Sequence, residues 1–204
     1  MDENGKGQVG SQDPDCYIVG TSYKGMMKMN RNSFCLDIGE FRTIMLYYTL
    51  GRDYITIIEQ KQLMGNGPYI DYTYHIPLKR WKLLTKSADD IGKCLDKVVN
   101  GQDGIYYSIH LGGNNYVKVQ SPYKCVQIRK WMYTKENKFV PSSKQGISLK
   151  ACEWRNLIDN MEYISDNLDI ESVTACADQN DHMNQQGYFA CPECNPDTYK
   201  DYLV

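Results

Sequence analysis

Cys176, His182, Cys191 and Cys194 are spaced C-x5-H-x8-C-x2-C, and the closing C-P-E-C is the kind of knuckle that presents two thiolates to tetrahedral zinc. Four protein ligands would leave the ion no open position, so zinc held there would be structural. The rest of the chain offers no G-x-S-x-G, H-E-x-x-H or P-loop spacing. Its Asp, Glu, His and Cys residues occur without a spacing that assembles a nucleophile with a base. The sequence reads as a non-enzyme with no required cofactor, whose function lies in its surfaces.

Those surfaces are charged unevenly. Between 116 and 150, Lys118, Lys124, Arg129, Lys130, Lys135, Lys138, Lys144 and Lys150 stand against Glu136 alone, a net +7. Residues 151–204 reverse this, with eleven carboxylates against Arg155 and Lys200, so the overall formal charge of −2 hides a basic block beside an acidic one. Such a block suits a polyanionic ligand. At 204 residues and 42% hydrophobic, the chain can bury one moderate core or two small ones. Its apolar runs stop well short of the roughly 18 residues of a membrane span. MDENGKGQVG also has no signal-peptide core, so the expectation is a protein neither secreted nor membrane-bound. Five of the eight Cys are scattered singly and N-x-S/T sequons are missing, which fits reduced thiols better than a disulfide framework.

A basic block needs a scaffold, and hydrophobic periodicity supplies one twice. Residues 1–32 lack sustained periodicity and read as a flexible arm. From Phe34, FCLDIGEFRTIMLYYTLGRDYITIIEQ reads as β-branched and aromatic strands cut near Gly51, and YIDYTYHIPL adds another after the GNGP turn. WKLLTKSADDIGKCLDKVV then sets Trp81, Leu84, Ala88, Ile91, Leu95 and Val98 on one helical face. The same order recurs. YYSIHLGGNNYVKV, KCVQIRKWMY and KFVPSSKQGISL give four strands, and ACEWRNLIDNMEYISDNL gives a helix with Trp154, Leu157, Ile158, Met161, Ile164 and Leu168 on one stripe. Trp81 and Trp154 lie 73 residues apart and Leu78 and Leu149 lie 71 apart, an internal repeat of about 70 residues. The boundaries are then 33–102 and 103–171 for the repeats and 172–204 for an acidic, Cys-containing tail, with every strand and both long helices placed before Ser172.

Residues 106–170 combine Y-V-K-V, a short basic loop, an I-R-K-W strand, K-x-G-I-S-L and a Trp-bearing helix. In that combination the segment resembles the C-terminal domain of the positive cofactor four family, transcriptional coactivators that bind single-stranded DNA. Residues 34–99 resemble it more loosely through IGEFRTIML, L-G-R, YITIIEQ and YHIPLKRW. The resemblance implies an α+β fold: two copies of a curved antiparallel four-stranded sheet followed by one helix, pairing through the helices as an internal pseudo-dimer. Trp81 and Trp154 would sit near that contact, and dimerisation of whole chains remains compatible with it.

It also implies a ligand, with Lys and Arg on phosphates and aromatic rings under bases along the concave sheet. Carried over position by position, Lys118 lies in Y-V-K-V, Tyr123 and Lys124 in the basic loop, and Arg129 on the third strand. Trp131 falls in the aromatic pair and Lys144 before the corner Gly; Arg42 and Arg52 are the first repeat's counterparts. The departures are Ile58 for the third-strand Arg, Gln145 for a Lys beside the corner Gly, and His75 for the Gly itself. The second repeat is therefore expected to carry most of the binding. The implied partners are single-stranded DNA or RNA and transcription or replication proteins, in the nucleus or another intracellular compartment. The competing expectation is a protein-interaction or scaffold module that uses the same fold without nucleic acid and shows no salt-dependent oligonucleotide binding.

Overall fold

A computed structural model of the chain describes residues 17–18, 26–28, 32–39, 43–62, 69–174 and 185–196. Period-two alternation resolves into two antiparallel meanders. The first sheet runs in chain order through β1 (Tyr17–Ile18), β2 (Met26–Lys28), β3 (Ser33–Asp37), β4 (Ile44–Thr49), β5 (Tyr54–Gln62) and β6 (Tyr69–Pro77). The second comprises β7 (Tyr106–Gly112), β8 (Asn115–Gln120), β9 (Tyr123–Tyr133) and β10 (Phe139–Lys150), again in chain order. Both four-stranded units expected from the repeat are thus present as β3–β6 and β7–β10. The segment read as an arm adds the hairpin β1–β2 to the first sheet. Alternation decides which side chains go inward: Ile44, Leu46 and Tyr48 from β4 and Val117 and Val119 from β8 are buried, while their neighbours are less so.

The helices are α1 (Leu78–Lys86), α2 (Ala88–Val99), α3 (Ala151–Asn167) and the short α4 (Gln185–Ala190), with a 3-10 turn at Ile170–Ser172. The first repeat's helical stripe is broken at Ser87. That break lets α1 lie on β5 and β6 and against β7, while α2 packs on β7, β8 and β9 of the other sheet and on α3. Trp81, Leu84, Ile91, Leu95 and Val98 therefore join Trp154, Leu157, Met161 and Ile164 in a single core shared by both repeats. Polar ties follow the same path. The Trp81 indole N–H donates to Ser165 Oγ at 3.1 Å, Arg155 pairs with Asp96 at 2.9 Å, and Asn156 Nδ2 donates to the Ile38 carbonyl at 3.2 Å. The two helical layers meet within one chain, as an internal pseudo-dimer requires.

Pairing corrects the alignment of the two repeats. Trp81 is the fourth residue of α1 and Trp154 the fourth of α3. Ile58 pairs with Thr73, as Arg129 pairs with Gly146, and buried Tyr74 and Ile76 correspond to buried Ile147 and Leu149. The counterpart of the corner Gly is therefore Thr73 and not His75. A two-residue slip leaves inward and outward positions unchanged, so alternation alone cannot detect it.

The tail also contributes to the body. Beyond α4, Glu193 forms a bidentate ion pair with Arg80 of α1, and its carbonyl accepts a hydrogen bond from Gly113 N–H at 2.7 Å. Ordered structure thus extends past Ser172.

Candidate nucleic-acid interface

Strand register places one row of side chains on the face of the second sheet turned away from the helices. From β7 come Tyr106, Ser108 and His110; from β8, Tyr116, Lys118 and Gln120. Gln127, Arg129, Trp131 and Tyr133 follow on β9, with Phe139, Gly146 and Ser148 opposite them on β10. Toward one end the row is a continuous aromatic surface. His110 stacks on Tyr116 at 4.7 Å between centroids, Trp131 lies 5.4 Å from Phe139, and Tyr133 lies 4.9 Å from Phe139. Tyr116 meets Trp131 and Phe139 edge-on, at 6.2 and 6.0 Å. Rings packed on one another in this way form a clustered aromatic platform on the outer face.

Lys118 is the charge on that platform. Its Nζ sits 3.5 Å from the Trp131 ring centroid and 5.6 Å from that of Tyr106, within cation–π range of both. A hydrogen bond from Lys118 lowers the Tyr106 phenol below its ordinary pKa, and Ser108 adds to the effect. Tyr106 is itself 62% exposed. One ammonium thus links an exposed ring to the clustered rings, an arrangement that offers π-faces and a cation along one line.

Arg129 occupies the same row but is partly committed. Its Nη1 donates to the Ser142 carbonyl at 2.7 Å and its Nη2 to Ser148 Oγ at 3.2 Å, bridging the bulge in β10 between Pro141 and Gly146. Gly146 is what allows this. A Cβ there would stand 2.6 Å from both Arg129 Cγ and the Ile128 carbonyl oxygen, so only glycine lets the two strands close under the arginine. The corner glycine therefore serves the seating of Arg129 as much as the swing into the helix.

The other residues singled out by sequence lie around this row. Tyr123, 58% exposed, and Lys124, also exposed, start β9 at its far end, about 26 Å from Trp131 by strand rise. Lys144 is exposed within the β10 bulge, where its N–H donates to Ser142 Oγ at 3.3 Å. Arg52 is exposed at the β4–β5 turn of the other sheet, apart from the platform, and Arg42 lies outside the described residues. Sequence reasoning missed Tyr106, His110, Tyr116, Tyr133 and Phe139; the alternate spacing of Tyr106, Ser108 and His110 was the available signal.

The zinc set is only partly in view. Cys191 and Cys194 are half-buried, while Cys176 and His182 lie outside the described residues. No group of three His, Cys, Asp or Glu side chains gathers to hold a metal among the described residues. No described helix is long and apolar enough to cross a membrane.

Comparison with protein-family models, curated proteins and solved structures returned no match.

Proposed function

We propose that this chain is a non-catalytic single-stranded nucleic-acid-binding protein, resembling the positive cofactor four coactivators, with its ligand on the outward face of the second sheet. The observation that carries the proposal is Lys118 lying over Trp131 within a row of outward aromatic rings, since bases stack on such rings while the ammonium meets phosphate. The net +7 of residues 116–150 supports the same reading by favouring encounter with any polyanion. Binding of this type tolerates most sequences, which suits an accessory role beside transcription or replication proteins in the nucleus or another intracellular compartment.

Titration of the full chain with a mixed-sequence single strand, read by tryptophan fluorescence at two salt concentrations, tests the proposal. Quenching, a negative slope of log affinity against log salt, and poor competition by duplex are the expected results. Binding that is absent or indifferent to salt would favour the protein-interaction module.

A further inference from the structure

The Arg80–Glu193 pair joins residues 113 apart in sequence, with the Arg80 side chain 17% and that of Glu193 38% exposed. Arg80 Nε donates to Glu193 Oε2 at 3.0 Å, and Nη2 donates to Oε1 at 2.7 Å and Oε2 at 2.8 Å. This is the planar fork with which guanidinium also grips phosphate. Beneath it run Gly112 and Gly113, both at positive φ. A Cβ on Gly112 would reach within 2.6 Å of the Glu193 carboxylate, and one on Gly113 would strike the Arg80 guanidinium, so the bare backbone forms a cradle for the pair.

The cradle opens onto the platform. Arg80, Gly113, Lys130, Trp131, Tyr133 and Glu193 line one shared groove of about 540 Å³, with Pro192 and Pro196 on the tail side. A strand lying across Trp131 and Tyr133 would bring its backbone along Lys130 toward Arg80, where a carboxylate from the acidic tail now sits.

We propose that Arg80 and the Gly112–Gly113 turn form a phosphate subsite at the end of the platform, and that Glu193 is its resident competitor. The inference rests on the single-strand reading for its biological ligand, while the anion site itself can be examined separately. Displacing Glu193 exchanges one anion for another at the same fork and frees the tail segment that carries Cys191 and Cys194.

The test compares the full chain with Glu193→Gln and with the double variant Arg80→Gln/Glu193→Gln, using oligothymidylate and, independently, inorganic pyrophosphate. Glu193→Gln is expected to bind oligothymidylate severalfold more tightly, with a salt slope steeper by roughly 0.7 for the added phosphate contact. The double variant should lose both gains. Pyrophosphate should raise the Tm of Glu193→Gln more than that of the unmodified chain, and should not raise that of the double variant. If the unmodified chain binds oligothymidylate and Glu193→Gln matches it in affinity and slope, the pair merely fastens the tail and the inference is overturned. Pyrophosphate stabilisation of Glu193→Gln without oligothymidylate binding by any form would uphold the anion site and sink the single-strand reading. Neither response in Glu193→Gln would overturn the inference outright.

Discussion

The outward faces of the two sheets are built on the same meander and carry opposite chemistry. On the second, Lys118 and Arg129 stand among Tyr106, Tyr116, Trp131, Tyr133 and Phe139. On the first, the matching positions of β3–β6 hold no Lys or Arg; Asp37 and Asp71 are there instead, and Ile58 and Tyr47 replace Arg129 and Lys118. Its polar groups also satisfy one another. Thr56 Oγ1 and His75 Nδ1 share a hydrogen bond at 3.0 Å, Gln60 Nε2 donates to Asp71 at 3.1 Å, and Tyr54 packs edge-on against His75. A duplicated scaffold needs both copies to close its core but only one to meet a ligand. The inward positions of both repeats consequently stay mostly apolar, Glu59 and Asn115 excepted, while the outward ones diverge.

The sharpest way to break this comparison is to exchange the corner residues. Gly146→Thr puts a Cβ within 2.7 Å of Arg129 Cα and 2.6 Å of the Ile128 carbonyl, atoms that cannot move aside without separating β9 from β10. Denaturant unfolding should show a loss of more than about 3 kcal/mol. The reciprocal Thr73→Gly should cost only about 0.5–1 kcal/mol, the usual price of glycine in a strand. Similar losses in both variants would mean that the two corners are equivalent.

Next comes the platform. Trp131→Ala should weaken single-strand binding by about 1–3 kcal/mol with little change in salt slope, because a stacked base releases few counterions. Tyr54→Ala, on the quiet face, should leave affinity unchanged. Equal losses from the two would spread the ligand over both sheets.

How far the two sheets act as one folding unit can be read from alkaline stability. Tyr74 of β6 donates its phenol to Asn115 Oδ1 of β8 at 3.0 Å, and burial raises its pKa to about 12. Below about pH 10 the phenol is neutral in folded and unfolded chains alike, so its contribution is intact. As the pH rises from about 10 toward 12 the unfolded chain ionises first, and up to about 2 kcal/mol of stability is lost. Tyr74→Phe should be less stable near neutrality but lose less on going to high pH, measured by urea unfolding across that range. Parallel pH curves for the two proteins would contradict the assignment.

These tests also mark what was legible in the sequence. Helical stripes were plain, because Trp81 through Val98 and Trp154 through Ile164 recur at three- and four-residue spacing and are buried accordingly. The order of β3–β10 was equally plain from turn residues and alternation, whereas β1 and β2 lie in a segment without sustained periodicity. The break at Ser87 was not, since α2 crosses to the second sheet through tertiary packing that leaves the stripe's period intact. Nor could the commitment of Arg129 to Ser142 be read, because it depends on a bulge that shifts β10 by residues no pattern counts. The pairing of Arg80 with Glu193 is harder still, joining the start of one repeat's helix to the tail through a turn in the other repeat.

The smallest effect separates charge that meets the ligand from charge that merely sits on the protein. Lys118 lies over Trp131, whereas Arg52 is exposed at a turn of the opposite sheet, and both are single cations of the same formal charge. A general field would weigh them alike. A localised contact would not, because counterion release counts the phosphates actually neutralised. Lys118→Gln should therefore flatten the log–log salt dependence by roughly 0.7, while Arg52→Gln should leave the slope where it was. Arg129→Ala is a poorer probe of the same question, since removing it also unseats Ser142 and Ser148, and any loss of affinity would be mixed with loosening of β10. Equal flattening by Lys118→Gln and Arg52→Gln, in proteins that both unfold cooperatively, would show that the ligand follows the overall field and not the platform.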